Sequence, residues 1–310
     1  MIFYNTQAAE GGKTYFSVEA AAKEPDKVTR LDLHFKNLNE IPSQVFEFTN
    51  LRELILLNNN IIEIPDAIAR LEHLEKLDLC GNGIKIFPET VTKLPNLKIL
   101  ILGWNDIEVI PESVANLKKL EWLSLNNNHL ATLPDSIGEL TNLVELILTD
   151  NSLISLPESI GKLGNLEKLR LWNNHLKSLP ESIGKLKNLK KLEANENNLT
   201  DLPDSIGELA CLEKLRLYKN ILSSLPESIG KLQKLQKLIL FENELSELPE
   251  SIGNLKELRE LELSCNELSA LPESIKDLPK IMSIDLSKNN FTDEAVHRIN
   301  EMMQNTKIIW

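Results

Sequence analysis

The chain has 310 residues, 42 % of them hydrophobic and 26 % charged, with a formal net charge of −12. That composition can bury a core and is not that of a disordered chain, and the acidic balance argues against nucleic acid and anionic membranes, which favour basic surfaces. No run approaches the ~20 consecutive apolar residues of a membrane helix, and three cysteines without motif spacing, Cys80, Cys211 and Cys265, suggest neither a disulfide framework nor a zinc site.

At the amino end, Met1-Ile2-Phe3-Tyr4-Asn5 lacks the basic start and apolar run of a secretory signal. A reducing, cytoplasmic setting is the expectation; a secreted or surface-exposed chain whose signal has been removed would read the same. Gly11-Gly12-Lys13-Thr14 ends like a P-loop, but the position of that loop's first glycine holds Gln7, and no strand–loop–helix context surrounds it. Ser17 then predicts an N-cap for a helix over 18–23, with Glu19 in its first turn and Pro25 beyond its end. Val18, Ala21 and Ala22 would lie against the first coil of a repeat.

The repeat itself occupies most of the chain. From Pro42 to Pro272 a proline recurs every 23 residues, and from Asn59 to Asn289 an asparagine does the same, with Lys36 in the equivalent first place. Between them runs L-x-x-L-x-L-x-x-N-x-L, as in Leu166-Glu-Lys-Leu169-Arg-Leu171-Trp-Asn-Asn174-His-Leu176. Leucines at repeat positions 4 and 6 alternate with polar residues, the period of a short strand with one buried face. The asparagine falls where the chain leaves the strand, and its amide can satisfy backbone groups of neighbouring coils. Each second half, as in Leu179-Pro180-Glu-Ser-Ile183-Gly184-Lys-Leu186, places proline and an acid where a first helical turn accepts them. Glycine near its end permits a positive φ. The few residues left allow only a short α or 3-10 turn.

One such coil cannot bury its leucines alone, so the coils must stack into a solenoid with strands ~4.8 Å apart inside and bulkier turns outside. Both ends then need covers. Thr292 predicts a cap for a second helix that aligns Val296, Ile299 and Met303, and residues 307–310 can add a last strand. Ala194 stands where other coils carry leucine; its neighbours are expected to close the gap.

This pattern resembles the leucine-rich repeat (LRR) family. The resemblance implies an α/β fold, a horseshoe solenoid in one domain: an N-terminal cap at 1–27, twelve coils at 28–291 and a C-terminal cap at 292–310. The helical caps are similar to those of bacterial LRR proteins, including the leptospiral group, which implies roles in host contact or in an intracellular complex. The proline-containing turns also look like those of Ras-associated LRR proteins, which act as scaffolds or adaptors.

No catalytic, cofactor or metal site is assigned. His34, His73, His129, His175 and His297 are scattered, and an open sheet supplies no enclosing pocket for acid–base chemistry. The expected function is binding of another macromolecule, most readily a protein, through side chains at repeat positions 3, 5, 7 and 8 of the concave sheet. Trp172, Tyr218 and Phe241 share one column, with Arg170 and Arg216 beside them; Trp104 and Trp122 form a second region. Ile55, Leu57, Ile101, Ile147 and Ile239 also point into the hollow. Exposed aromatics on one face are what interfaces enrich; the alternative is β-propensity and cross-strand packing.

Lys168, Lys191, Lys214 and Lys237 occupy position 3 of four successive coils. Local pairing with Glu167, Glu193, Glu196 and Glu213 would neutralise them; an acidic partner docked across coils seven to ten would too. Carbohydrate recognition by the aromatic face is a second reading of the site. A monomer and a concave-face dimer are both compatible with the sequence. The outer turns carry most of the acidic excess and read as a solvated back.

Overall fold

The computed structural model describes residues 13–310. The amino-terminal pentapeptide and the glycines of the P-loop-like stretch lie outside the described residues. The fold is one parallel sheet of fourteen strands, β1 to β14, laid down in chain order. Each repeat strand is three residues long, and its register follows the repeat: β8 (Lys168–Arg170) pairs with β9 (Lys191–Glu193) so that Lys168, Leu169 and Arg170 face Lys191, Leu192 and Glu193. A fixed repeat length therefore stacks equivalent side chains in columns. Leu169 and Leu171 are wholly buried, as are their counterparts in the other coils, and Ala194 is fully enclosed among them. The apolar column forms one continuous core from cap to cap.

The asparagine column does what its position suggests. Asn174 donates from Nδ2 to the carbonyl oxygens of Leu148 (2.9 Å) and Leu171 (3.0 Å), and its Oδ1 accepts from the Leu153 N–H (2.9 Å). Each asparagine thus ties two coils together with groups that would otherwise be orphaned. A second column was not anticipated. Asn50, Asn96, Asn142, Asn165 and Asn188, at the last position of their coils, each donate to a backbone carbonyl 24 residues earlier, as Asn188 does to Gly164 (2.7 Å).

On the convex side the turns are 3-10 helices of five residues, such as Glu181–Lys185, with Pro180 one residue before the turn rather than inside it. Gly184 does not need a positive φ. A Cβ there would lie 2.4 Å from the carbonyl oxygen of Ser205 in the next coil, and five further glycines of the array meet the same obstacle. Their role is close approach of adjacent turns. The acids are also more than a solvated back: Glu158 accepts from the Ser182 N–H at 3.1 Å, and Glu112, Glu227 and Glu250 do the same one coil on. Each carboxylate caps its neighbour's turn, where free N–H groups and the positive end of the dipole favour an anion.

The residue before the ladder position, Lys36 in the first coil and asparagine in the rest, is left-handed in all twelve coils, with φ between 52° and 65°. Glycine, asparagine and aspartate occupy five of those places, and the others hold Phe35, Trp104, Glu196, Lys219, Glu242, Cys265 and Lys288. The conformation is imposed by the fold, because the chain must leave the strand at that point, and ordinary residues tolerate it at a cost.

Both ends are capped. Ser17 Oγ accepts from the Ala20 N–H (3.2 Å) at the start of α1 (Val18–Ala21), shorter than the expected 18–23. Ala21 is buried and Val18 packs against the core, but Ala22 is exposed. A strand not foreseen, β1 (Thr14–Tyr15), precedes this helix. Thr292 caps α2 (Asp293–Met302), which buries Ile299, Met303 just past its end is buried as well, and β14 (Lys307–Ile309) closes the sheet against β13 (Ser283–Asp285). No helix of the described residues is long and apolar enough to cross a membrane.

Candidate functional site

Coils seven to ten bring the predicted basic and aromatic residues onto one area of the concave sheet. The strands concerned are β8, β9, β10 (Lys214–Arg216) and β11 (Lys237–Ile239). Their in-register pairing sets Lys168, Lys191, Lys214 and Lys237 side by side, with Arg170, Glu193, Arg216 and Ile239 in the column two residues on. The third column holds Trp172, Asn195, Tyr218 and Phe241. Tyr218 and Phe241 stack face to face, with centroids 4.4 Å apart and planes 9° from parallel. Asn195 is buried beside Tyr218, whose hydroxyl is pushed above its usual range chiefly by burial and then by Glu196. Trp172, Tyr218 and Phe241 all remain half-buried, each with a face toward the hollow.

The charges are arranged differently from the sequence-based expectation. Glu145, 2 % exposed, receives Lys168 Nζ at 2.9 Å and Arg170 Nη2 at 2.9 Å. Glu193 takes Arg216 at 3.0 Å and Arg170 at 3.7 Å, and Lys237 pairs with Glu260. Of the four expected partners only Glu193 serves these cations; Glu167 binds Lys190 instead (2.7 Å). Glu145 and Glu260 escaped the sequence reading, although both stand at position 3 and bracket the lysine column. Lys191 and Lys214 have no ion pair among the described residues. The Lys214 ammonium is held below its usual range by burial first and by Arg216 next, with Glu193 opposing the shift and Lys237 and Lys191 adding to it.

Four of the five aliphatic residues expected to face the hollow are buried instead. Ile55, Ile101, Ile147 and Ile239 are 1–8 % exposed, whereas Leu57 stays half-buried, so in coils seven to ten the accessible apolar material of this face is aromatic. Trp122 and Trp104 do not form one region. Trp122 is half-buried and its ring lies 6.0 Å from Lys168 Nζ, within reach of cation–π attraction, so it extends the basic patch toward the amino end. Trp104, 62 % exposed, stands on the sheet edge beside a shallow cleft of about 390 Å³ lined in part by Asp106, His129 and Asp150.

Nearer the amino end, burial raises the carboxyl of Asp78 above its usual range, and the same burial, with Asp78 beside it, pushes the Cys80 thiol up to about 12. That thiol is inert at neutral pH. Because the folded state prefers protonated Asp78, its contribution to stability is complete below the unfolded carboxyl pKa and is lost as pH rises through the raised folded value. Asp78→Asn, which can keep the bond accepted from the Cys80 N–H (3.0 Å), is therefore expected to raise the melting temperature at pH 7 and leave it unchanged near pH 3. Calorimetry at the two pH values checks this.

Comparison with known proteins agrees with this architecture. A profile described as leucine-rich repeat region matches residues 30–146, 93–193 and 146–241, and one described as leucine rich repeat matches 233–291. The chain belongs to the leucine-rich repeat family. No curated protein sequence matches. Among solved structures, an LRR protein of Leptospira interrogans is 27 % identical with a TM-score of 0.50, the alignment covering 96 % of this chain and all of that one. The Arabidopsis receptor kinase HAESA, in complex with the peptide hormone IDA and the co-receptor SERK1, is 33 % identical with a TM-score of 0.69 over 86 % of this chain. A plant peptide hormone receptor, RGFR1 in complex with RGF2, is 29 % identical with a TM-score of 0.70 over 86 % of this chain. This LRR chain spans about half the length of those two receptor chains, 51 % and 49 %. LRR neighbours of this kind are commonly protein-binding modules.

Proposed function

We propose that this LRR chain is a non-enzymatic protein-binding module that receives its partner on the concave sheet, with Trp172, Tyr218 and Phe241 as anchors. The observation that carries the reading is the stacked Tyr218–Phe241 pair (4.4 Å) beside a buried Ile239. Half-buried rings over a rigid sheet offer a large contact area at little cost in side-chain entropy, the property that makes aromatics interface hot spots. Peptide and protein complexes among the related LRR structures support the same reading.

The test is affinity purification with the wild type beside the Trp172→Ala/Tyr218→Ala double variant. Each truncation is expected to weaken a central hot spot by about 2 kcal/mol, enough together to empty the captured fraction. Circular dichroism of the two proteins should match. An unchanged set of captured proteins refutes the site.

Trp104 is the second anchor. A tryptophan at φ 55° carries strain that glycine or asparagine would not. Trp104→Asn is expected to raise stability by about 0.5–1 kcal/mol in urea melts, while weakening any partner that reaches the sheet edge. A loss of stability would show that the ring is needed for packing instead.

A further inference from the structure

The lysine column divides into neutralised ends and a bare centre. At one end Lys168 is held by Glu145 (2.9 Å), at the other Lys237 pairs with Glu260, and both arginines of the neighbouring column lean on Glu193. Of the six cations in these two columns, four share three carboxylates, on a chain whose net charge is −12. Lys191 and Lys214 are left over, adjacent in register and facing the hollow, two columns from Asn195 and the Tyr218–Phe241 stack.

We propose that Lys191 and Lys214 bind two carboxylates of an extended acidic peptide segment whose aromatic or aliphatic side chain packs on the Tyr218–Phe241 stack. The inference rests on the concave-face reading and specifies its partner.

Local neutralisation was available to this protein and was used on both sides. Adjacent strands are ~4.8 Å apart, so uncompensated ammonium groups at Lys191 and Lys214 repel each other and the cations beside them. Burial and like charge already hold the Lys214 ammonium below its usual range, so a carboxylate arriving there would relieve an existing repulsion. The spacing suits acids at alternate residues of a strand running across the sheet, since those lie ~7 Å apart and reach neighbouring lysines through flexible stems. Asn195, in the column of the aromatic residues, is buried. The stack beside it offers an apolar platform for the intervening side chain. Acidic residues alone would give a weak, salt-sensitive contact; the platform supplies the rest and sets the register.

The experiment is selection of a random displayed dodecapeptide library against the full chain, followed by fluorescence anisotropy with synthetic copies of the enriched sequences. Enriched peptides should carry at least two acids and an aromatic or large aliphatic residue at constant spacing. Lys191→Gln/Lys214→Gln should weaken them about tenfold, with a melting temperature equal to or above that of the wild type because repulsion has been removed. Trp172→Ala/Tyr218→Ala should weaken them as well. Enriched peptides that lack acids, or that bind the double-glutamine variant as tightly, overturn the acidic-partner inference while leaving the concave-face reading intact if the aromatic variant still loses them. Peptides indifferent to both variants overturn both. Equal binding of a shuffled peptide of the same composition shows bulk electrostatics only, and absence of any enrichment likewise sinks the inference.

Discussion

Asn174→Ala is expected to lower the unfolding free energy by about 3 kcal/mol, with the loss centred on coils six and seven. The alanine deletes a donor that serves the carbonyls of Leu148 and Leu171 and an acceptor that serves the Leu153 N–H, all buried. Each buried group left unpaired costs about 1–3 kcal/mol, and water has no path to them because Leu148, Leu153 and Leu171 are fully enclosed. In a solenoid, stability is close to a sum of coil terms and nearest-neighbour interfaces. The weakened seam should therefore open first, and native-state hydrogen exchange should show faster exchange at Leu153 than at the equivalent Leu245. Equal exchange at the two seams would mean that the ladder amide is replaceable by water or by relaxation of the backbone.

Removing Glu145 is the other large effect. Glu145→Gln leaves Lys168 and Arg170 without their shared anion, at a site where the carboxylate is 2 % exposed. Breaking a buried pair commonly costs 3–5 kcal/mol. Here about 2–4 kcal/mol is expected, because Lys168 and Arg170 keep part of their contact with water. The freed Arg170 would also shift toward Glu193, which already holds Arg216 at 3.0 Å, so the binding surface should change along with the stability. Urea denaturation of Glu145→Gln and of the triple variant Glu145→Gln/Lys168→Met/Arg170→Met separates the two contributions. The triple variant should recover most of the loss, since replacing a buried ion group by apolar residues is often neutral. No recovery would show that Glu145 acts through its shape.

The two effects differ in how readable they were. Asn174 announced its role through position alone: one asparagine in every coil after the first, always after the strand, has to face the same inner column, and there only backbone groups await it. Glu145 looked like any other acid. What gives it weight is its place at the end of the Lys168–Lys237 column and beneath two cations, and that depends on which side chains the stacking sets beside each other. The same applies to Ile101 and Ile147, which the strand alternation sends into the hollow but which are buried in the fold. Gly184 misled in a further way. Its usefulness in the sequence was a permitted positive φ; its use in the fold is room for the Ser205 carbonyl of the next coil.

A 23-residue period with leucines at fixed places determines the coil, its strand and turn, and the need for caps, because no other arrangement buries those side chains while pairing every strand. That much comes from the chain alone, including the caps begun by Ser17 and Thr292. The sequence also marks which positions point outward, and so where recognition residues stand. It does not determine which of them are spent on each other. Tertiary stacking decided that Glu145, Glu193 and Glu260 consume most of the cations and leave Lys191 and Lys214 open, and that Tyr218 lies flat on Phe241. The reason is one of distance: core position is set within a coil, whereas ion pairs and ring contacts are set between coils, by side chains 23 or more residues apart whose reach only three dimensions reveal.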